Sequence, residues 1–292
     1  MIKSILKRFR LFSYINNLRL STRWKIHIFS DFMYTYVFKS KIKASTPFGF
    51  DLVSKNYKEH RLMLKGKFES DELDIIRNHL NTADVFVDVG ANIGYYSCVA
   101  LSLGKHVIAV EPQWQNLECL YANLSNNGWT DAEVFPIGLS SKPGMLTLYG
   151  ASGLCASLVK GWAGYSERFK QIIPVNTLDN ILGDRFQGKK LFIKIDVEGA
   201  EFDVLRGAEE TLTMHPRPTW FIEVNQSLFC PGGRNPNYEA TFDLFWQHNY
   251  EVRLANKDNS LITPAGFKNS LANKGASQNV FNYVFIPRPN DH

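Results

Sequence analysis

The stretch that decides the fold is Asp84-Val-Phe-Val-Asp-Val-Gly-Ala-Asn-Ile-Gly-Tyr-Tyr-Ser97, an apolar run that enters a glycine turn and then a helical pattern. Gly90 lets the chain turn sharply at the strand end. Gly94 lets the helix start pack close to the strand, so that backbone N–H groups face a ligand. Asp88 and Asn92 add polar groups to this cradle. It is not a dinucleotide fingerprint: counted from Gly90, the second and third glycine positions of G-x-G-x-x-G hold Asn92 and Tyr95, which disfavours close approach of a pyrophosphate. No G-x-x-x-x-G-K-[ST] occurs, which excludes an NTP-binding P-loop.

Outward from the turn, short apolar runs alternate with helical patterns, the signature of a parallel sheet in an α/β fold. The spacing predicts strands at Val85–Val89, Val107–Val110, Glu133–Phe135, Leu191–Ile195, Trp220–Val224, Glu251–Leu254 and Val280–Ile286, and helices at 94–103, 114–127, 200–213 and 238–248. Lys142 to Gln171 carries five glycines and reads as hairpin or loop. Glu111 ends the second strand, 23 residues after Asp88, where a carboxylate can accept from both ribose hydroxyls of an adenosine-type cofactor. Leu191-Phe-Ile-Lys-Ile-Asp-Val-Glu-Gly-Ala-Glu-Phe202 ends a further strand in acids, and ligands of open α/β sheets bind beyond the strand carboxyl ends. Asp196 and Glu198 are therefore aimed at the same pocket, while Glu201 suits helix capping.

Of 292 residues, 45% are hydrophobic and 21% charged, which excludes a disordered or fibrous chain. Residues 1–67 carry 15 Lys+Arg against 3 Asp+Glu, leaving 18 (33 − 15) against 25 (28 − 3) for residues 68–292. A basic arm thus precedes a mildly acidic body. Within the arm Ile2, Ile5, Leu6, Phe9 and Phe12 recur at helical spacing among Lys3, Lys7, Arg8 and Arg10, a basic amphipathic helix suited to an anionic membrane surface. A solvated arm, or a helix packed on its own domain or on a partner, competes with that reading. No nucleic-acid motif accompanies the charge, so no nucleic-acid partner is expected. The charges interrupting residues 1–20 speak against a cleavable signal, and Ile26–Phe38, with His27 and Asp31, falls short of the roughly 20 residues a bilayer span needs. Cys98, Cys119, Cys155 and Cys230 form no C-x-x-C pair, so neither a zinc site nor a disulfide framework is indicated and a reducing, cytoplasmic setting is expected.

At this point the chain resembles the FkbM family of S-adenosylmethionine-dependent methyltransferases. The resemblance rests on Phe86 to Ser97, Val110-Glu-Pro112 with Asn116-Leu117 and Asn123-Leu124, Thr177-Leu-Asp179, Ile193 to Glu201 with Leu205 and Gly207-Ala208, and Pro218 to Glu223, in the family's order over about residues 84–225. It implies a class I methyltransferase (Rossmann-like) three-layer sandwich, whose mostly parallel seven-stranded sheet has an antiparallel last strand. The domain would occupy residues 68–292, after a basic extension at 1–67. By the same resemblance Asp88, Gly90, Ala91, Asn92 and Gly94 contact the methionine part of the cofactor, Glu111 the ribose, and Ile137 or its neighbours the adenine face. Ile137-Gly138-Leu139 departs from the family where alanine is expected before the leucine.

Methyl transfer from a sulfonium is an in-line displacement, so the protein chiefly aligns the acceptor oxygen and excludes water. Asp196 can act as base toward a hydroxyl; alternatively Asp196, Glu198 and a third oxygen ligand hold Mg²⁺. His60, His106 and His215 are spare bases. The loop Phe229 to Pro236, with Arg234, Asn235 and the following Asn237, can close over a hydroxylated or phosphorylated acceptor. Family members O-methylate hydroxyls, often on sugars of surface polysaccharides, lipopolysaccharides or secondary metabolites. Such an acceptor on a lipid carrier or nucleotide gives residues 1–20 a purpose, as a peripheral contact with the inner face of an anionic membrane or with a glycosyltransferase. A docking subunit that binds adenosyl ligands without catalysis is opposed by the complete acid set Asp88, Glu111 and Asp196. An NAD-dependent oxidoreductase is opposed by Asn92 and Tyr95.

Overall fold

The computed structural model describes residues 41–55, 58–150, 156–164, 170–272 and 281–288. The basic stretch 1–20, the apolar stretch 26–38 and Cys155 lie outside the described residues. In chain order, β1 (Lys41–Ser45) and β2 (Asp51–Lys55) form a hairpin, and α1 (Lys58–Leu64) and α2 (Ser70–Thr82) lead into β3 (Val85–Val89). There follow α3 (Tyr95–Ser102), β4 (His106–Val110), α4 (Trp114–Asn126) and β5 (Glu133–Phe135). A small second sheet comprises β6 (Gly138–Leu139), β7 (Gly144–Tyr149) and β8 (Lys170–Asn176). The chain continues through α5 (Leu178–Leu182), β9 (Leu191–Ile195), α6 (Glu201–Arg206), α7 (Glu209–Thr213) and β10 (Thr219–Glu223). It ends with α8 (Tyr238–Gln247), β11 (Tyr250–Leu254), β12 (Leu261–Ile262), α9 (Pro264–Ala272) and β13 (Asn282–Pro287).

The main sheet has the order β12-β11-β13-β10-β9-β3-β4-β5. Strands β5, β4, β3, β9 and β10 run parallel, and β13 inserts antiparallel between β10 and β11. This is the class I methyltransferase arrangement with all seven expected strands, and the two-residue β12 makes an eighth at the edge. The central strands are buried on both faces, which is why they read as unbroken apolar runs. Val85, Val87 and Val89 point into one core with Ile193, Trp220, Phe245 and Phe285; Phe86 points into the other with Phe192, Phe221, Ile76 and Tyr95. Burying each such side chain contributes about 1.5–3 kcal/mol.

Register brings the strand ends into line. Val89 pairs with Val110 and Ile195, Val110 with Phe135, and Ile195 with Ile222. The residues that follow, among them Gly90, Glu111 and Asp196, therefore leave the sheet at one edge.

Two expectations change. The helix expected over 200–213 is two helices, because Gly207 abuts the Ser140 carbonyl, which would lie 2.3 Å from a Cβ there. The carboxylate of Asp179 then caps α7, accepting from the Glu210 and Thr211 N–H groups (3.0 and 2.9 Å) and from Thr211 Oγ (2.6 Å). The glycine-rich run 142–171 is the hairpin it was expected to be, β7 pairing antiparallel with β8. Ahead of residue 68, Phe50, Leu52 and Met63 are buried in the same core as Ile76 and Phe86, and Asn123 of α4 bonds the Val53 carbonyl (3.1 Å) and that of Ile93 (2.8 Å). The break near residue 67 is thus one of charge, while packing runs across it.

Candidate active site

Gly90, Asn92, Glu111, Ile137, Asp196 and Glu198 line one cleft of about 640 Å³, open to solvent, at the carboxyl edge of the sheet. Pro112, Asn116, Gly138, Leu148, Leu158 and Val197 complete much of the wall. Asp88, Ala91 and Gly94 stand behind this lining: Asp88 is 1% exposed and accepts from Ser97 Oγ at 2.6 Å, and Ala91 is buried beside Leu120.

The glycine turn is shaped by the protein itself. Gly90 (φ 82°) would place a Cβ 1.9 Å from the Asp196 carbonyl oxygen, so the β3 and β9 ends meet only because the position is glycine. At Gly94 (φ 82°) the missing Cβ makes room for Leu120 of α4 at 2.3 Å rather than for the strand, which corrects the expected reason for that glycine. Gly138 sits in β6, where a Cβ would lie 3.0 Å from Ile173 and 3.2 Å from Val175, a tight fit against the side chains of β8.

Glu111 is 5% exposed. Its Oε2 accepts the Asn92 N–H at 2.7 Å, and Oε1 accepts the Gln113 N–H at 2.8 Å and Asn116 Nδ2 at 3.3 Å. It therefore locks the cradle as well as facing the cleft. Burial pushes its pKa up to about 7, against the pull of the Gln113 and Asn92 N–H groups. Two polar atoms of the turn, Asn92 Oδ1 and Asp88 Oδ1, are buried with no hydrogen-bond partner among the described residues.

On the other side Lys194, 4% exposed, donates to Asp196 Oδ2 at 2.9 Å and lies over the Tyr96 ring at 5.1 Å. Burial depresses its pKa, but Asp196 and Asp88 outweigh that and hold the ammonium above its ordinary value. Burial also raises Asp88, opposed by Lys194. Glu223, at the end of β10, is held well above the carboxylate range by burial and then by the charges of Asp196 and Glu198. Glu201 accepts the Gly199 N–H at 2.8 Å, in keeping with a capping role, and burial lifts it to about 7.

Glu198 is held from another segment: its Oε2 accepts Trp162 Nε1 at 2.8 Å and its carbonyl accepts Ser157 Oγ at 2.6 Å. Asp196 and Glu198 are thus engaged by different donors, and among the described residues no three His, Cys, Asp or Glu side chains converge as cation ligands. None of the spare histidines lines the cleft: His106 begins β4 and pairs with Glu133 (2.9 Å) at the opposite sheet edge, His215 precedes β10, and His60 is buried in α1. In the loop after β10, Asn235 is buried and donates to the Asn225 carbonyl at 3.0 Å, while Arg234 pairs with Glu239 at 2.5 Å. Local structure holds these two, which were expected to face an acceptor. Sequence reading takes Trp162 as a packing group, which its burial bears out, but not its bond to Glu198, 36 residues away.

Residues 88–252 match the family described as the Methyltransferase FkbM domain. Hexuronic acid methyltransferase AglP of Haloferax volcanii is 32% identical over 146 residues, covering 48% of this chain and 58% of AglP. AMB antimetabolite synthetase AmbE of Pseudomonas aeruginosa is 28% identical over 207 residues, covering 58% of this chain and 10% of AmbE. The chain thus spans less than two thirds of the length of either relative. The crystal structure of precorrin-6y C5,15-methyltransferase from Geobacter metallireducens is 13% identical with a TM-score of 0.41, over 77% of this chain and 90% of that one.

Proposed function

The chain belongs to the FkbM methyltransferase family, and from that premise we propose that it is an S-adenosylmethionine-dependent O-methyltransferase whose acceptor is a sugar hydroxyl. The observation that carries the reading is the convergence of Gly90, Asn92, Glu111 and Ile137 with Asp196 and Glu198 on one cleft. Among relatives, one that acts on a hexuronic acid supports the sugar class.

S-adenosylmethionine supplies an electrophilic methyl group on a sulfonium. The cleft fits such a ligand: Asn92 Oδ1 is an unpartnered acceptor, and Glu111 holds one protein donor on Oε2 and so keeps acceptor capacity for a ribose hydroxyl. Ile137 supplies apolar surface for the adenine. Asp196 would accept the proton of an acceptor hydroxyl held in the cleft, a contribution of about 10²–10⁴-fold. Lys194 keeps Asp196 in place by donating to one of its oxygens. A base role suits Asp196 better than a place in a cation site, because Lys194 already occupies the carboxylate.

A peripheral contact of residues 1–20 with an anionic membrane or a glycosyltransferase, and a cytoplasmic setting, belong to the same proposal. Among the described residues no helix is long and apolar enough to cross a membrane. The test is transfer of a labelled methyl group from S-adenosylmethionine to a panel of neutral and uronic glycosides, with Asp196→Asn as control. Label on a sugar oxygen, lost in the variant, is expected; label on nitrogen or carbon, or full activity of the variant, contradicts the reading.

A further inference from the structure

Two non-glycine residues of the cleft lining, Asn92 (φ 53°) and Glu198 (φ 57°), have left-handed backbone. Asparagine tolerates that region, whereas for glutamate it is strained and persists only where the surroundings over-determine it. At Glu198 the surroundings are a distant segment. Trp162 Nε1–H donates to Oε2 at 2.8 Å, and Ser157 Oγ–H donates to the Glu198 carbonyl at 2.6 Å. Gly199 (φ 98°) follows, and a Cβ there would lie 2.4 Å from the Trp162 ring, so the indole is seated against the backbone next to the carboxylate. Trp162 is only 2% exposed, too buried to stack on a sugar itself. Its ring meets Phe229 at 6.4 Å, and the Ala163 N–H donates to the Phe229 carbonyl at 2.8 Å, which joins the turn at 162–164 to the loop after β10.

We infer that Trp162 and Ser157 are positioning residues that hold Glu198 as the carboxylate to which the acceptor's hydroxyls donate, with Phe229 backing the wall that selects the acceptor. The inference rests on the methyltransferase reading above. Strain concentrated at one acidic residue of the cleft, and held in place by two side chains from one segment, is the arrangement of a group whose orientation matters to a ligand.

The test uses the full ¹⁵N-labelled chain saturated with S-adenosylhomocysteine, titrated with methyl β-D-glucopyranoside and methyl β-D-glucuronopyranoside. The reporters are the Trp162 indole N–H and the Gly199 amide. At least one glycoside is expected to move both resonances, and Glu198→Gln to weaken that glycoside at least fivefold. Trp162→Phe, which keeps a ring but loses the donor, is expected to weaken it comparably while S-adenosylhomocysteine affinity stays within twofold. The double variant should be no weaker than either single one. Ser157→Ala, a smaller change, should follow the same pattern and carries the test if Trp162→Phe does not fold. Resonances unmoved by either glycoside, or glycoside affinity unchanged in both positioning variants, overturns the inference while intact S-adenosylhomocysteine binding leaves the parent reading standing. No S-adenosylhomocysteine binding by the wild type sinks both.

Discussion

Glu111 makes the binding of an adenosyl ligand depend on pH in a calculable way. Its carboxyl is pushed from 4.5 up to about 7 by burial. If ribose hydroxyls donate to the ionised form, the apparent Kd scales as 1 + 10^(pKa − pH), a factor of about 1.1 at pH 8 and about 11 at pH 6. Affinity for S-adenosylhomocysteine should therefore fall about tenfold, or about 1.4 kcal/mol, between pH 8 and pH 6. Binding should also release about half a proton at pH 7, measurable by calorimetry in buffers of different ionisation enthalpy. Glu111→Gln keeps the shape and an acceptor oxygen but cannot ionise. It should bind more weakly at pH 8, with an affinity flat from pH 6 to 8. A flat profile in the wild type, or the same slope in the variant, would refute the placing of the ribose on Glu111.

Glu201 provides a stability counterpart: its folded pKa of about 7 lies above the ordinary 4.5, so the folded state binds more protons between those values and its contribution to stability falls as pH rises through them. Glu201→Gln should raise Tm at pH 8, by up to about 3 kcal/mol of stability, and change little at pH 4.5, as read by calorimetric melting. Gly90→Ala meets the Asp196 carbonyl at 1.9 Å and should cost well beyond the roughly 1–2 kcal/mol of the left-handed backbone, with loss of S-adenosylhomocysteine binding; a melting curve and a titration check both. Lys194→Met leaves Asp196 with no ammonium partner and Asp88 without its neutralising neighbour, and should destabilise by about 3–5 kcal/mol in urea unfolding. Asp179→Ala removes the α7 cap and should cost about 0.5–2 kcal/mol while leaving ligand affinity unchanged.

Strands buried on both faces were legible because sheet burial demands continuous apolar runs, as at Val85–Val89 and Leu191–Ile195. Motif residues were legible as a set, and contacts now explain several of them: Asn116 reaches Glu111, Asn123 ties the glycine turn to β2, and Asp179 caps the helix after Gly207. The β1–β2 hairpin was not legible, since β1 is largely exposed and its sequence, Lys41-Ile-Lys-Ala-Ser45, carries little apolar signal. Helix α2 did carry one, with Leu73, Ile76 and Leu80 at i, i+3 and i+7. The split of 200–213 depends on the Ser140 carbonyl, and the role of Trp162 on Glu198; contacts between distant segments leave no local pattern.

The central claim is that the cleft beyond β3, β4 and β9 holds an adenosyl methyl donor. Calorimetric titration of the full chain with S-adenosylmethionine, S-adenosylhomocysteine and NADH, beside Glu111→Ala, tests it most directly. Binding of both adenosyl ligands that weakens in the variant, with no NADH binding, is predicted; a preference for NADH, or adenosyl binding untouched by the substitution, would contradict it.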